Sequence, residues 1–195
     1  MHSSIHERFV KDTANHSVNI IRDDGLYRHL RCSNNGSFNY RFDIITWPGF
    51  LAYTGDMGCF VFSRIRDMFE FFGTGKINPC YWSEKLHGVD RINGTKIFSV
   101  GRFQKNVVSC MRNYLGIEDD ETFPEHIIEV LEPILSAENE FDCTFAIRDC
   151  DHEAFNDFFE YDNLEYTHHY IWCCFAIVWA ISKYSEIKST ACTAQ

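Results

Sequence analysis

Apolar and polar positions alternate along the first third of the chain, and the period changes near residue 63. In residues 38–46, Phe38, Tyr40, Phe42 and Ile44 fall on one face of an extended segment, with Asn39, Arg41 and Asp43 on the other. Residues 17–22 are rich in β-branched side chains, and Asp23-Asp24-Gly25 is a turn signal before a second strand over 26–32. Asn34-Asn35-Gly36 turns again. After Trp47-Pro48-Gly49 come strands over 50–54 and 59–62, joined by Gly55-Asp56-Met57-Gly58, whose glycines suit a hairpin. The pattern predicts an antiparallel meander of four or five strands across residues 17–62.

Helical spacing follows. Ile65, Met68, Phe69 and Phe72 recur at i, i+3, i+4 and i+7, with Ser63 placed as N-cap and Gly73 and Gly75 as the stop. Asn78-Pro79 introduces a short element over 81–86. A helix over 103–115 would carry Val107, Met111 and Tyr114 on its apolar face, with Gly116 beyond its end. Thr122-Phe123-Pro124-Glu125 has capping-box spacing, and Pro133 should end or kink the helix it starts. Segments 151–161 and 168–184 complete the helices. The expected class is α+β: an N-terminal antiparallel β-meander packed by C-terminal α-helices. It reads as a single domain over 1–195, or one domain with a smaller helical lobe, strands filling 17–62 and helices 63–184.

The stretch 166–182 has no Lys, Arg, Asp or Glu, and 170–181 is almost wholly apolar. Twelve residues of helix reach about 18 Å, short of a bilayer core of roughly 30 Å. No membrane span is therefore expected. A helix apolar all round belongs in a protein core or at a homodimer interface.

Charge changes the picture most. Residues 118–165 carry seventeen carboxylates and one base, Arg148, whereas residues 1–117 carry fifteen Lys and Arg against ten acids. Within a chain of net charge −10, a field this concentrated argues against direct binding to nucleic acid. It suits attraction to a basic protein surface, or imitation of phosphate charge. The candidate partner-binding residues are Glu118, Asp119, Asp120, Glu121, Glu125, Glu129 and Glu132. Glu125, Glu129 and Glu132 repeat at helical spacing and should share one exposed face. The plainer alternative is a set of solvated helix faces.

Other chemistry is weakly signalled. Trp47 and Asp56, in neighbouring glycine-bearing turns, are a candidate ligand loop and the basis of an enzyme alternative. That segment lacks the length and lysine of a phosphate-binding loop, and hairpin geometry explains its glycines. Asp149-Cys150-Asp151-His152-Glu153 gathers potential ligand types without a zinc or EF-hand spacing, so no metal or other cofactor is expected. Asp149 or Asp151 is better placed as a helix N-cap. Nine cysteines, without a C-x-x-C pair, and an opening twelve residues without an apolar core suggest reduced thiols in a cytoplasm, buried as small hydrophobes. Tyr27, Phe38, Tyr40, Phe42, Trp47, Tyr53, Phe60 and Phe62, interleaved with Arg22, Arg28, Arg31 and Arg41, could build a stacking sheet for a single strand. The alternation at 38–44 instead turns most of these rings inward.

Several strings together resemble a family of small, mostly uncharacterised bacteriophage and prophage proteins. They are RDDGLYRHLR at 22–31, FDIITWPG at 42–49 continuing into TGDMG at 54–58, DMFEFF at 67–72, INP at 77–79 with YWSEK at 81–85, and WCCFAIVW at 172–179. The resemblance covers most of 17–87 and then 165–184, while the acidic middle is the least similar part. It implies phage origin and action in a host bacterial cytoplasm, and it assigns no catalytic residue. Joined to the acidic segment, it leads to the expectation of an inhibitor of a host defence protein or complex. Such an inhibitor, of the anti-CRISPR or anti-restriction kind, would cover a basic nucleic-acid-binding surface of its target. The alternatives are a small phage enzyme and a phage structural or regulatory binding protein.

Overall fold

Short turns draw the strands of the first third into one antiparallel ladder. In the computed structural model, which describes residues 2–193, these are β1 (Ser17–Asp24), β2 (Tyr27–Ser33), β3 (Phe42–Trp47), β4 (Phe50–Gly55) and β5 (Gly58–Ser63). A sixth strand, β6 (Leu86–Gly88), pairs with β5, so the sheet runs β1 to β6 in chain order. The β4–β5 connection needs glycine at Gly55, where an added Cβ would stand 2.7 Å from Phe42 Cα and closer still to the Arg41 carbonyl.

The strand expected from Phe38 starts only at Phe42. Asn35 and Tyr40 take left-handed backbone angles, φ 48° and 53°, which turns the chain before it can extend. Phe38 is 73% exposed. Tyr40 is held in its turn by its N–H, which donates to Asp56 Oδ2 at 2.9 Å, and by its hydroxyl, which accepts from Arg8 at 3.1 Å.

The core face of the sheet carries Leu30, Cys32, Phe42, Ile44, Leu51, Tyr53, Phe60 and Phe62, all buried. Against it lies α7 (His168–Thr193), in which nine of the twelve residues from Tyr170 to Ile181 are buried and Phe175, Val178 and Trp179 are half-buried. Trp172 is the pivot: its ring meets Phe9 edge-on at 5.0 Å and Phe42 at 5.8 Å, and its indole N–H donates to Asp12 at 3.1 Å. Tyr170 lies buried with its hydroxyl donating to the Pro79 carbonyl at 2.9 Å. The expected buried helix is thus present. No described helix is long and apolar enough to cross a membrane.

Phe9 belongs to a helix that the pattern did not predict, α1 (His2–Asp12), which packs Ile5 and Phe9 into the same core. The helix expected to start at Ser63 is only α2 (Met68–Phe72). Its cap is Asp67, whose carboxylate accepts the Phe69 N–H at 2.9 Å; Ser63 still belongs to β5, and Ile65 is exposed. A further short helix, α3 (Pro79–Ser83), is capped by Asn78.

Residues 97–165 form a second compact unit, distinct from the unit made by residues 2–96 and 166–193. The chain passes between them through β7 (Lys96–Phe98) and β8 (Leu164–Tyr166), which pair as a two-stranded sheet. The second unit holds α4 (Val100–Leu115), α5 (Glu125–Leu135), α6 (Glu140–Asp149) and two 3-10 turns, Glu153–Phe155 and Phe158–Glu160. Its core joins Phe103, Val107, Met111, Ile127, Leu131, Ile134, Cys143, Ile147, Phe155 and Phe158.

Several boundaries here correct the expectation. Tyr114 faces solvent, while Gly116 ends α4 as expected, at φ 67° with its N–H on the Arg112 carbonyl at 2.8 Å. The capping box before α5 does not form: Pro124 takes the N-cap place, with no side-chain cap bond. Pro133 does not end α5, which continues two residues past it, although its missing N–H removes the helical donor to the Glu129 carbonyl. The predicted helix over 151–161 is replaced by the two 3-10 turns. Neither Asp149 nor Asp151 caps: Asp149 is the last residue of α6, and His152 Nδ1 accepts the Ala154 N–H instead.

Candidate partner-binding surface

The acidic run falls wholly within one unit of the fold, beyond α4, which itself carries three bases and no acid. The unit of residues 97–165 holds seventeen acids and four bases (Arg102, Lys105, Arg112 and Arg148), a net charge of −13, which leaves the rest of the chain at +3. Glu118, Asp119, Asp120, Glu121, Glu125, Glu129 and Glu132 are all exposed. On α5 the three glutamates lie opposite the buried Ile127, Leu131 and Ile134, so amphipathic spacing fixes which way they face.

The loop before α5 is ordered by its own polar groups. Glu121 accepts the Glu118 N–H through its carboxylate at 3.0 Å and donates its own N–H to the Glu118 carbonyl at 3.2 Å. The Arg112 guanidinium donates to that carbonyl as well and lies 4.7 Å from the Phe123 ring centre. An arginine of the unit therefore serves to hold the loop, and the carboxylates of Asp119 and Asp120 stay at the surface. Arg102 approaches Asp162 only to 3.8 Å, with both side chains more than 40% exposed, a weak and screened contact.

A groove of about 540 Å³ runs between α5 and α6. Its floor includes Pro133, Ile134 and Phe145, and carboxylates stand on both walls: Glu129 from α5, Asp142 and Asp149 from α6. Phe145 is 61% exposed, and Phe141, one turn before it, 77%. Arg148 covers Phe159 at 5.4 Å nearby. The sequence reasoning missed α6 and this groove, because only Cys143 and Ile147 of that helix are buried and its aromatics point outward. The signal that could have found it is Asn139, whose side chain caps α6 by accepting the Asp142 N–H at 3.0 Å.

Trp47 and Asp56 are not brought together. They lie in hairpins at opposite ends of β4, six residues long and so about 20 Å from end to end. Trp47 stacks on Phe50 at 5.2 Å across its own turn. The Asp56 carboxylate binds the Tyr40 N–H and its backbone N–H binds the Arg41 carbonyl, so its role is to close the turn. Among the described residues no group of three or more His, Cys, Asp or Glu is placed to hold a metal. In the run 149–153, the His152 ring accepts a backbone N–H and packs on Tyr114, and Glu153 accepts the Tyr114 hydroxyl at 3.2 Å. All described cysteines are free thiols. Cys32, Cys110, Cys143, Cys173 and Cys174 are buried, Cys150 is half-buried, Cys59 and Cys80 are exposed, and the side chain of Cys192 lies outside the described residues. Burial pushes the Cys173 and Cys174 thiols up, which keeps them protonated.

The aromatic and basic residues of the sheet are mostly engaged. Phe42, Tyr53, Phe60 and Phe62 are buried. Tyr27 and Phe38 are exposed, each under an arginine: Arg22 at 5.3 Å and Arg41 at 4.1 Å. Arg28 donates twice to Asp67 at 2.8 Å, and its guanidinium lies 4.5 Å from the Phe69 ring centre. That bond, ahead of burial, which acts the other way, holds the Asp67 carboxyl below its ordinary range. On the other face Asp43 takes Arg31 and His29 from the neighbouring strand. Burial raises the Asp43 carboxyl, but the bonds from Arg31 and His29 outweigh it and the group sits low.

The fold and this surface define an α+β protein with a strongly acidic helical unit. Compared with protein-family models, curated proteins and solved structures, the chain matches none.

Proposed function

We propose that the chain is a binding protein whose acidic unit covers a basic, nucleic-acid-binding surface of another protein. The observation that carries the reading is the concentration of the carboxylates within one compact unit. The unit of residues 97–165 is structurally compact by itself, holds a net charge of −13, and leaves its seven candidate carboxylates exposed. Solvated helix faces alone would not require that charge to be confined to one unit. A field of this sign lowers the free energy of encounter with Lys- and Arg-rich surfaces and raises it for phosphate. With the phage resemblance, the specific reading is a phage-encoded inhibitor of a host defence system, of the anti-CRISPR or anti-restriction type, acting in the bacterial cytoplasm without a cofactor.

No observation favours an enzyme site at Trp47 and Asp56, given their separation. The test is capture of bacterial proteins with the tagged chain at low and at raised salt. The expected result is retention of basic nucleic-acid-binding proteins, released as salt screens exposed charges beyond about 10 Å. Capture of neutral or acidic proteins that salt does not release would contradict the reading.

A further inference from the structure

We infer that the groove between α5 and α6 is the anchoring point for a cationic amphipathic helix of the partner. The inference rests on the acidic-unit reading and narrows it to one site and one class of occupant.

The groove joins apolar side chains to carboxylates supplied by both of its helices. Pro133 and Ile134 from α5 and Phe145 from α6 line it, and Phe145 is 61% exposed because it lies on the side of α6 opposite the buried Cys143 and Ile147. An exposed phenylalanine in a groove offers the aromatic contact that dominates many interfaces. The walls decide what can cover it. Glu129, Asp142 and Asp149 rim the floor; Asp142 already accepts the Asn139 amide at 2.6 Å, but an apolar or acidic occupant would bury Glu129 and Asp149 at a high desolvation cost. An occupant with Lys or Arg flanking an apolar side chain satisfies both features: its hydrocarbon meets Phe145 and Pro133, and its cationic heads meet the rim. The α5 wall from Glu129 to Ser136 spans about 10 Å, two turns of helix. That length fits a helix laid in a groove, with cationic residues one turn apart around a central apolar one.

The test uses the full chain and a fluorescein-labelled synthetic helix with Lys and Arg at three- and four-residue spacing around Leu, read by fluorescence anisotropy. Two double variants carry the same change in charge: Glu129→Lys with Asp149→Lys in the groove, and Glu118→Lys with Asp120→Lys outside it. Far-UV circular dichroism checks that each stays folded. The expected result is a loss of about tenfold or more in affinity for the groove variant and less than about threefold for the other. Phe145→Ala should cost about tenfold as well, and that loss should persist at raised salt because no charge has changed. Equal losses in the two double variants, with Phe145→Ala silent, would overturn the groove while leaving the acidic-unit reading intact. No binding of the peptide to the unaltered chain at low salt would sink both. Spermine displacing the peptide as well as a second copy of the peptide does would show attraction to any polycation and would also overturn the groove.

Discussion

The two units hold themselves together by different means, and the difference separates what makes the chain fold from what it offers to a partner. The unit of residues 2–96 and 166–193 buries large rings around one apolar helix: Trp172, Tyr170, Tyr53, Phe42, Phe60, Phe62 and Phe72 are all fully buried. Its fourteen Lys and Arg nearly balance its eleven Asp and Glu, at +3, and half-buried charges are paired, as Arg28 is with Asp67 and Asp43 with Arg31 and His29. The unit of residues 97–165 has a smaller core, built on the buried stripes of α4 and α5, and it keeps its phenylalanines 141, 145 and 159 outside. Its net −13 stands at the surface with little internal compensation. Self-repulsion of this size is tolerable where a unit meets a complementary surface, and it is otherwise a standing cost to compactness.

The largest effect that would break the comparison lies in the first unit. Ile177 is completely buried. Ile177→Asp places an uncompensated charge in that core and should destabilise by about 3–5 kcal/mol, read as a shift of the urea midpoint. An unchanged midpoint would show that α7 is not core.

Next comes Arg28→Met, which strips a bidentate partner from Asp67 and should cost about 3 kcal/mol. It also carries a pH signature. The Asp67 carboxyl is held low in the folded state by Arg28, so its contribution is present above the unfolded value of about 3.9 and is lost as pH falls through the folded one. Stability of the unaltered chain should therefore drop on acidification below about pH 4. The Arg28→Met variant should show a shallower drop, measured by urea titration at a series of pH values. Parallel acid profiles would contradict the pairing.

In the second unit the comparable change is smaller. Gly116→Ala forces a Cβ into the left-handed cap of α4 at φ 67° and should cost about 1 kcal/mol, seen as faster amide exchange in that helix. Smallest of all, Glu129→Gln, at an exposed carboxylate in the middle of α5, should alter stability by less than about 0.5 kcal/mol. A larger loss there would mean that the acids hold the fold rather than face a partner.

What the residues disclosed in advance follows the same division. The meander and the core helix were legible because alternation and an uninterrupted apolar run each leave one way to bury their side chains. Phe42 and Ile44, and Tyr170 through Ile181, go where their spacing sends them. Tyr40 broke the pattern at its start, since a left-handed tyrosine is fixed by Asp56 and Arg8, partners far away in sequence. The same limit hid the pairing of Asp67, the cap of α2, with Arg28 of β2. In the acidic unit, charge was visible but the groove was not. Helix α6 buries only Cys143 and Ile147, too few to mark a periodic face, and Phe141 and Phe145 mimic core positions while standing in solvent. The seven carboxylates were found by composition, and the exposure of Glu125, Glu129 and Glu132 follows from the buried stripe of α5.

The claim that the acidic unit covers a basic surface is tested most directly by displacement. A partner retained by the chain at low salt is loaded with labelled nucleic acid. The unaltered chain, or a variant with Glu125→Lys, Glu129→Lys and Glu132→Lys together, is then titrated against it. The three positions share the exposed face of α5, and single exposed charges contribute only about 0.2–1 kcal/mol each, so the triple change is the fair comparison. The unaltered chain should release the nucleic acid with an affinity that falls steeply as salt rises, and the folded triple variant should release little. Equal displacement by both proteins, or displacement indifferent to salt, would contradict the account.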